Sequence, residues 1–174
     1  MELTAELGDI TTVDTDAIVN AANASLLGGG GVDGAIHRAA GPRLLDACRE
    51  LRQTLPHSLS VGDAVATPGF ALPARWVIHT VGPNRHAGET DPELLASCFR
   101  RSLDVASDVR ARTVAFPAVS AGIYGWAADD VAEIAVTTAR SWRDVTGGAG
   151  VEHVRFVLFN DALLQAFTDA LESS

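Results

Sequence analysis

Between Ala17 and Pro42 the chain reads AIVNAANASLLGGGGVDGAIHRAAGP, and no other stretch limits its fold as tightly. A short apolar run, Ala17 to Val19, ends at Asn20, with Asn23 close behind. Four glycines follow, Gly28 to Gly31, and a helical pattern opens around Asp33. Strand, bare-backbone loop and helix in that order make a βα unit. Exposed amides at a helix N-terminus are how such units hold anions. The run lies between Leu27 and Val32, so it is not a polar linker.

The same alternation continues along the chain. Strands are expected at Glu2–Leu7, 63–67, 75–81, Thr113–Phe116 and 153–159. Helices are expected at 33–40, 42–52, 92–109, 129–144 and 162–171, with Pro42 suited to a first helical turn. Alternating elements predict a three-layer α/β/α sandwich around a mixed, mostly parallel sheet. One domain over residues 1–174 is expected from this length. Ligands of such folds collect beyond the carboxyl ends of the strands. A second glycine-bearing loop, Ser120-Ala121-Gly122-Ile123-Tyr124-Gly125, follows the strand at 113–116 and can face the first.

Charge narrows the partners. The formal net charge is −9, and all 13 basic residues are arginine. An acidic surface disfavours nucleic acid and anionic membrane, which call for a basic face. An anionic ligand would therefore be held by amides and helix ends. Cys48 and Cys98 stand singly in helical patterns, without metal or disulfide spacing, which suits a reducing cytoplasm. The N-terminus carries no signal-peptide pattern, and no apolar run nears the ~20 residues of a membrane span.

Several motifs weaken on inspection. Gly29-x-Gly31-x-x-Gly34 matches the dinucleotide fingerprint, but Ala21 to Leu27 separate it from the strand, and Asp33 would set a negative charge beside a pyrophosphate. A Walker loop is excluded for want of lysine. Val119 before Ser120 gives no serine-hydrolase elbow. His37 and His79 read as packed or hydrogen-bonded. Asp33 is either a helix N-cap or a functional carboxylate. Asn20 and Asn23 are either turn residues or ligand contacts. Tyr124 and Trp126 either pack or wall a sugar pocket.

Taken together, Gly8-Asp9-Ile10-Thr11, IVNAAN at 18–23, GGGGVDGAIHRAAGP at 28–42, VIHTVGP at 77–83 and VAFPAVSAGIYG at 114–125 resemble a macrodomain of the MacroD-type branch. The resemblance runs nearly the whole chain and implies an ADP-ribose pocket. It implies that Asp9 accepts from the adenine amino group, with the Ile10 backbone nearby and Phe159 against the ring. Gly30, Gly31 and Val32 would offer amides to one phosphate. Ser120, Ala121, Gly122, Ile123 and Tyr124 would serve the other phosphate and the distal ribose. Asn20 would lie at the pocket floor, Asn23 would bond the distal ribose, and Asp33 would face its C1″.

MacroD-type proteins remove ADP-ribose from acidic side chains and cleave O-acetyl-ADP-ribose. The resemblance therefore implies a hydrolase acting through a positioned water, with Asn23 and Asp33 as its catalytic pair, and neither metal nor cofactor. Its partners would be ADP-ribose and ADP-ribosylated proteins, met as a monomer. The alternatives are a non-catalytic ADP-ribose reader, from which the presence of both Asn23 and Asp33 discriminates because readers commonly lack one or both, and action on an ADP-ribose 1″-phosphate. Two departures stand out. Ala121 replaces a frequent threonine, removing a hydroxyl donor. Trp126-Ala127 replaces a smaller aromatic and proline, and the 56–63 segment also differs.

Overall fold

Residues 1–173 are described by a computed structural model. The elements run β1 (Glu2–Leu7), β2 (Ala17–Ala21), α1 (Gly31–Ala40), α2 (Pro42–Thr54), β3 (Ala64–Pro68), β4 (Trp76–Thr80), α3 (Pro92–Asp108), β5 (Thr113–Phe116), α4 (Ala128–Thr146), β6 (His153–Leu158) and α5 (Asp161–Glu172). Short 3-10 turns occupy Ile10–Thr12 and Arg85–Ala87. The six strands form one sheet in the order β1-β6-β5-β2-β4-β3. Among the described residues only the β3–β4 pairing is antiparallel. The expected mixed, mostly parallel sheet between helical layers is what forms.

The two-residue period of a strand divides the core in two. Ala17 and Val19, Val114 and Phe116, Val154 and Phe156 face α3, α4 and α5. Ile18, Val77, Ala115 and Val157 face α1 and α2. On the first side a line of rings, Phe99–Phe116–Phe156–Phe167, joins α3, β5, β6 and α5 with centroids 5.4, 6.0 and 5.0 Å apart. Among the described residues no helix is long and apolar enough to cross a membrane.

Local chemistry sets the helix starts. Asp91 caps α3 by accepting from the Glu93 amide at 3.0 Å, and Asn160 caps α5 through the Leu163 amide at 2.9 Å. Gly41 joins α1 to α2 with φ +85°, a left-handed conformation costly for any side chain, and Pro42 follows at the first turn.

Two boundaries near the glycine run differ from expectation. β2 does not stop before Asn20, because the ladder continues through Asn20–His79 and Ala21–Thr80 pairs. α1 starts two residues earlier than Asp33. Gly30 is its N-cap, without a side-chain bond, so Asp33 is the third helical residue and not the cap. The N-cap reading of Asp33 falls, and its carboxylate is left to other partners.

Candidate functional site

A cavity of about 650 Å³ opens beyond the carboxyl ends of β1, β6, β5 and β2, four neighbouring parallel strands. Three interstrand steps of ~4.8 Å give it a run of about 14 Å, the shape of an elongated ligand. Gly8, Asp9 and Ile10 line the β1 end, with Val157 from β6 and Phe159 just past it beside them. Pro117, Ala118 and Ser120 to Tyr124 follow β5. Ala21, Asn23, Gly30 to Asp33 and Ala35 close the β2 end. A second groove, of about 580 Å³ between α3 and α4, has helix side chains alone for walls and no strand end.

The cavity has two sets of free donors. The uncapped first turn of α1 brings Gly31 and Val32 to its wall, where helix N–H groups lack intrahelical partners. Opposite lies the loop after β5, which turns through Ser120 at φ +67° and Gly122 at φ +83°. The amides of Gly122, Ile123 and Tyr124 have no protein acceptor among the described residues. The Ser120 hydroxyl is likewise buried without a partner. A non-glycine residue in the left-handed region is strained, and such strain is tolerated where the surroundings enforce it.

At the β1 end, Asp9 Oδ1 accepts from the Thr11 amide at 2.9 Å and its hydroxyl at 2.7 Å. These bonds hold the carboxylate still while Oδ2 keeps its acceptor capacity. Phe159 is 78 % exposed at the rim, an apolar face without a protein partner on most of its surface.

At the β2 end, Asn23 is exposed and held at both ends of its amide. Nδ2 donates to the Gly28 carbonyl at 2.9 Å, and Oδ1 accepts from the Tyr124 hydroxyl at 3.4 Å. Asp33 is 4 % exposed. Its Oδ1 accepts from Asn20 Nδ2 at 2.8 Å and lies 3.4 Å from His37 Nε2, one helical turn on. Its Oδ2 is buried with no partner. Asn20 is fully buried and is not among the residues lining the cavity; it reaches Asp33 from behind. Trp126 also leaves the site. It is buried, donates from its indole to the Pro83 carbonyl at 3.1 Å, and carries the Arg85 guanidinium 4.8 Å over its ring. The packing alternative holds for Trp126, whereas Tyr124 lines the cavity.

Sequence reasoning missed Gly29. A Cβ there would fall 2.5 Å from Asn23 Nδ2 and 3.1 Å from Asp33 Oδ2. The bare glycine lets those two groups converge, and only its place beside Asn23 and Asp33 in the motif hinted at it. The buried partners behind Asp33 were also missed. His79 Nδ1 lies 3.1 Å from Asn20 Nδ2. Burial, and secondarily His37, push the His79 pKa down to about 3. Burial, and then the Asp33 charge, push the Cys48 thiol up to about 11.

The His79 shift has a direct thermodynamic consequence. Its ordinary value is 6.5, so below that pH the unfolded chain binds a proton that the folded chain refuses. Stability present at neutral pH is thus lost as pH falls through 6.5 toward 3. Between pH 7.5 and 5 this amounts to about 2 kcal/mol. Chemical denaturation across that range will show the loss in the wild type, and His79→Leu will flatten the slope by that amount.

The Macro domain family model matches residues 19–135. A macro domain-containing protein of Chlorobaculum tepidum is 54 % identical over 94 % of this chain and 91 % of its own length. The chain belongs to the macro domain family. A Streptomyces coelicolor macro domain-containing protein is 55 % identical over 94 % of this chain and 95 % of its own. Among solved structures, an Oceanobacillus iheyensis macrodomain with ADP superposes with a TM-score of 0.86 and 41 % identity, over 97 % of this chain and 88 % of that one. A Trypanosoma brucei macrodomain in complex with ADP-ribose gives 0.87 and 37 %, over 98 % of this chain and 69 % of that one. As a macro domain, the chain carries its cavity at the strand ends, with amides on both long walls and carboxylates toward each end.

Proposed function

We propose that this macro domain binds ADP-ribose and, as a MacroD-type hydrolase, releases it from acidic side chains of proteins and cleaves O-acetyl-ADP-ribose. The observation that carries the reading is the state of Asp33. One carboxylate oxygen is bonded from behind, and the other is buried, unpartnered and beside the Asn23 amide. A carboxylate that only caps a helix or pairs with a cation would not be left so. The neighbouring macrodomain solved with ADP-ribose supports the choice of ligand.

In this reading Asp9 takes the adenine amino group, and Phe159 covers the ring. The Gly30–Val32 amides hold one phosphate, and the loop from Ser120 to Tyr124 the other. Asn23, steadied by Tyr124 and Gly28, fixes the distal ribose. Asp33 Oδ2 and a ligand phosphate oxygen orient a water toward the ester at that ribose. Hydrolysis then returns ADP-ribose and the free carboxylate. Holding water and ester in line removes much of the entropic barrier. The chemistry proposed needs no metal or cofactor.

The test uses a protein mono-ADP-ribosylated on glutamate or aspartate. Wild type is expected to release the label, with or without a chelator, and to bind ADP-ribose by calorimetry. Binding without release would make the chain a reader and overturn the hydrolase assignment. No binding would overturn the pocket itself.

A further inference from the structure

The layer between the sheet and helices α1 and α2 is apolar, with Ile18, Val77 and Val81 from the sheet side against Ile36 and Leu44 from the helices, and has one interruption. Thr67 on β3, His79 on β4 and Asn20 on β2 lie side by side across three adjacent strands and lead to Asp33 on α1. Their exposures are 3 %, 1 %, 0 % and 4 %. Asn20 and His79 are register partners in the β2–β4 ladder. Burying four polar groups in an apolar layer is costly, the more so because Asn20 Oδ1 and Asp33 Oδ2 have no partner, so an unused row of this kind would be a poor way to pack a sheet.

The directions of the bonds follow from Asp33. An ionised carboxylate only accepts, so the Asn20 amide must turn Nδ2 toward it, and the bond is 2.8 Å. The second N–H of that nitrogen faces His79 Nδ1 at 3.1 Å. Nδ1 must then be the bare nitrogen, and the ring proton sits on Nε2, 2.9 Å from the Thr67 hydroxyl. Cys48 Sγ lies 3.9 Å from the same Nε2. With only Asp33 to hold it, the Asn20 amide would turn about its broad terminal torsion. His79 takes the remaining hydrogen and removes that freedom.

We propose that His79 is a positioning residue for Asp33, acting through Asn20 and seated by Thr67. It holds the Asn20 amide so that Oδ1 of Asp33 stays engaged and Oδ2 stays the free oxygen beside Asn23. The role rests on the hydrolase reading given above. It adds to that reading a row of residues that touches neither ligand nor water.

The test compares His79→Leu with His79→Asn, whose side-chain oxygen restores an acceptor near the Nδ1 position. For His79→Leu, ADP-ribose affinity should stay within about threefold of wild type, while turnover on glutamate-linked ADP-ribose falls at least about tenfold. His79→Asn should recover most of the rate. In the wild type, nitrogen-15 NMR of the ring should show Nδ1 unprotonated and Nε2 protonated. Should His79→Leu not fold, Thr67→Val against Thr67→Ser makes the same comparison, with loss in the first and recovery in the second. Wild-type turnover in a folded His79→Leu or Thr67→Val protein, or a proton on Nδ1, would overturn the proposal. A rate loss matched by an equal loss of affinity would also overturn it, since that is a general structural defect. A wild type that releases no label overturns the hydrolase reading, and the positioning role goes with it. That failure is recognisable because it is read on the unmutated protein.

Discussion

Replacing Asp33 with alanine will lower the rate of ADP-ribose release by about a thousandfold, within the range for losing a positioned acid–base group. That corresponds to about 4 kcal/mol of lost barrier lowering. Affinity for ADP-ribose should stay the same or tighten. The carboxylate is buried in the wall of the cavity, and its negative charge opposes that of an anionic ligand held there. Rate and affinity thus move independently, which a merely structural role for Asp33 does not predict. Single-turnover release and calorimetry on the same preparation measure both. A variant within tenfold of the wild-type rate would remove Asp33 from the mechanism.

Gly29→Ala will cut turnover by about a hundredfold and be almost harmless to the fold. The glycine is exposed and outside the left-handed region, so alanine adds no backbone strain. Its Cβ, however, would fall 2.5 Å from Asn23 Nδ2, and the side chain that gives way is Asn23. Asn23 then leaves its bond to the Gly28 carbonyl, and a sugar held by it shifts by about 1 Å. A shift of that size costs ~100-fold in rate. Thermal unfolding should change by less than ~1 kcal/mol, as for most exposed substitutions. Unchanged turnover in a folded Gly29→Ala protein would mean that the Asn23 position does not limit the reaction.

Much of the architecture was legible because it is written locally. The strands at Glu2–Leu7 and Thr113–Phe116 match expectation to the residue. Pro42 and Pro92 mark helix starts whose cause is their own fixed φ. The family, too, was legible in the string from Asn20 to Pro42. The errors cluster at that string. Asparagine is a poor strand residue by propensity, which places the end of β2 before Asn20; a register partner across the sheet, His79, makes Asn20 a strand residue. Asp33 was open to a capping role because glycine at Gly30 leaves no side chain to cap with. Outside that string, the sequence leaves Trp126 between pocket and core, and the Pro83 carbonyl and Arg85 place it in the core.

Periodicity, glycine placement and the lack of lysine are properties of the chain read end to end. They alone pointed to an α/β sandwich with bare backbone amides where a glycine loop meets a helix start. Which groups face one another was decided by the parallel sheet. Its crossovers bring Asn20 to Asp33 over 13 residues, Asn20 to His79 over 59 and Tyr124 to Asn23 over 101. No local propensity encodes those separations. They exist because strand register aligns side chains across the sheet, and register is set by the packing of both faces at once.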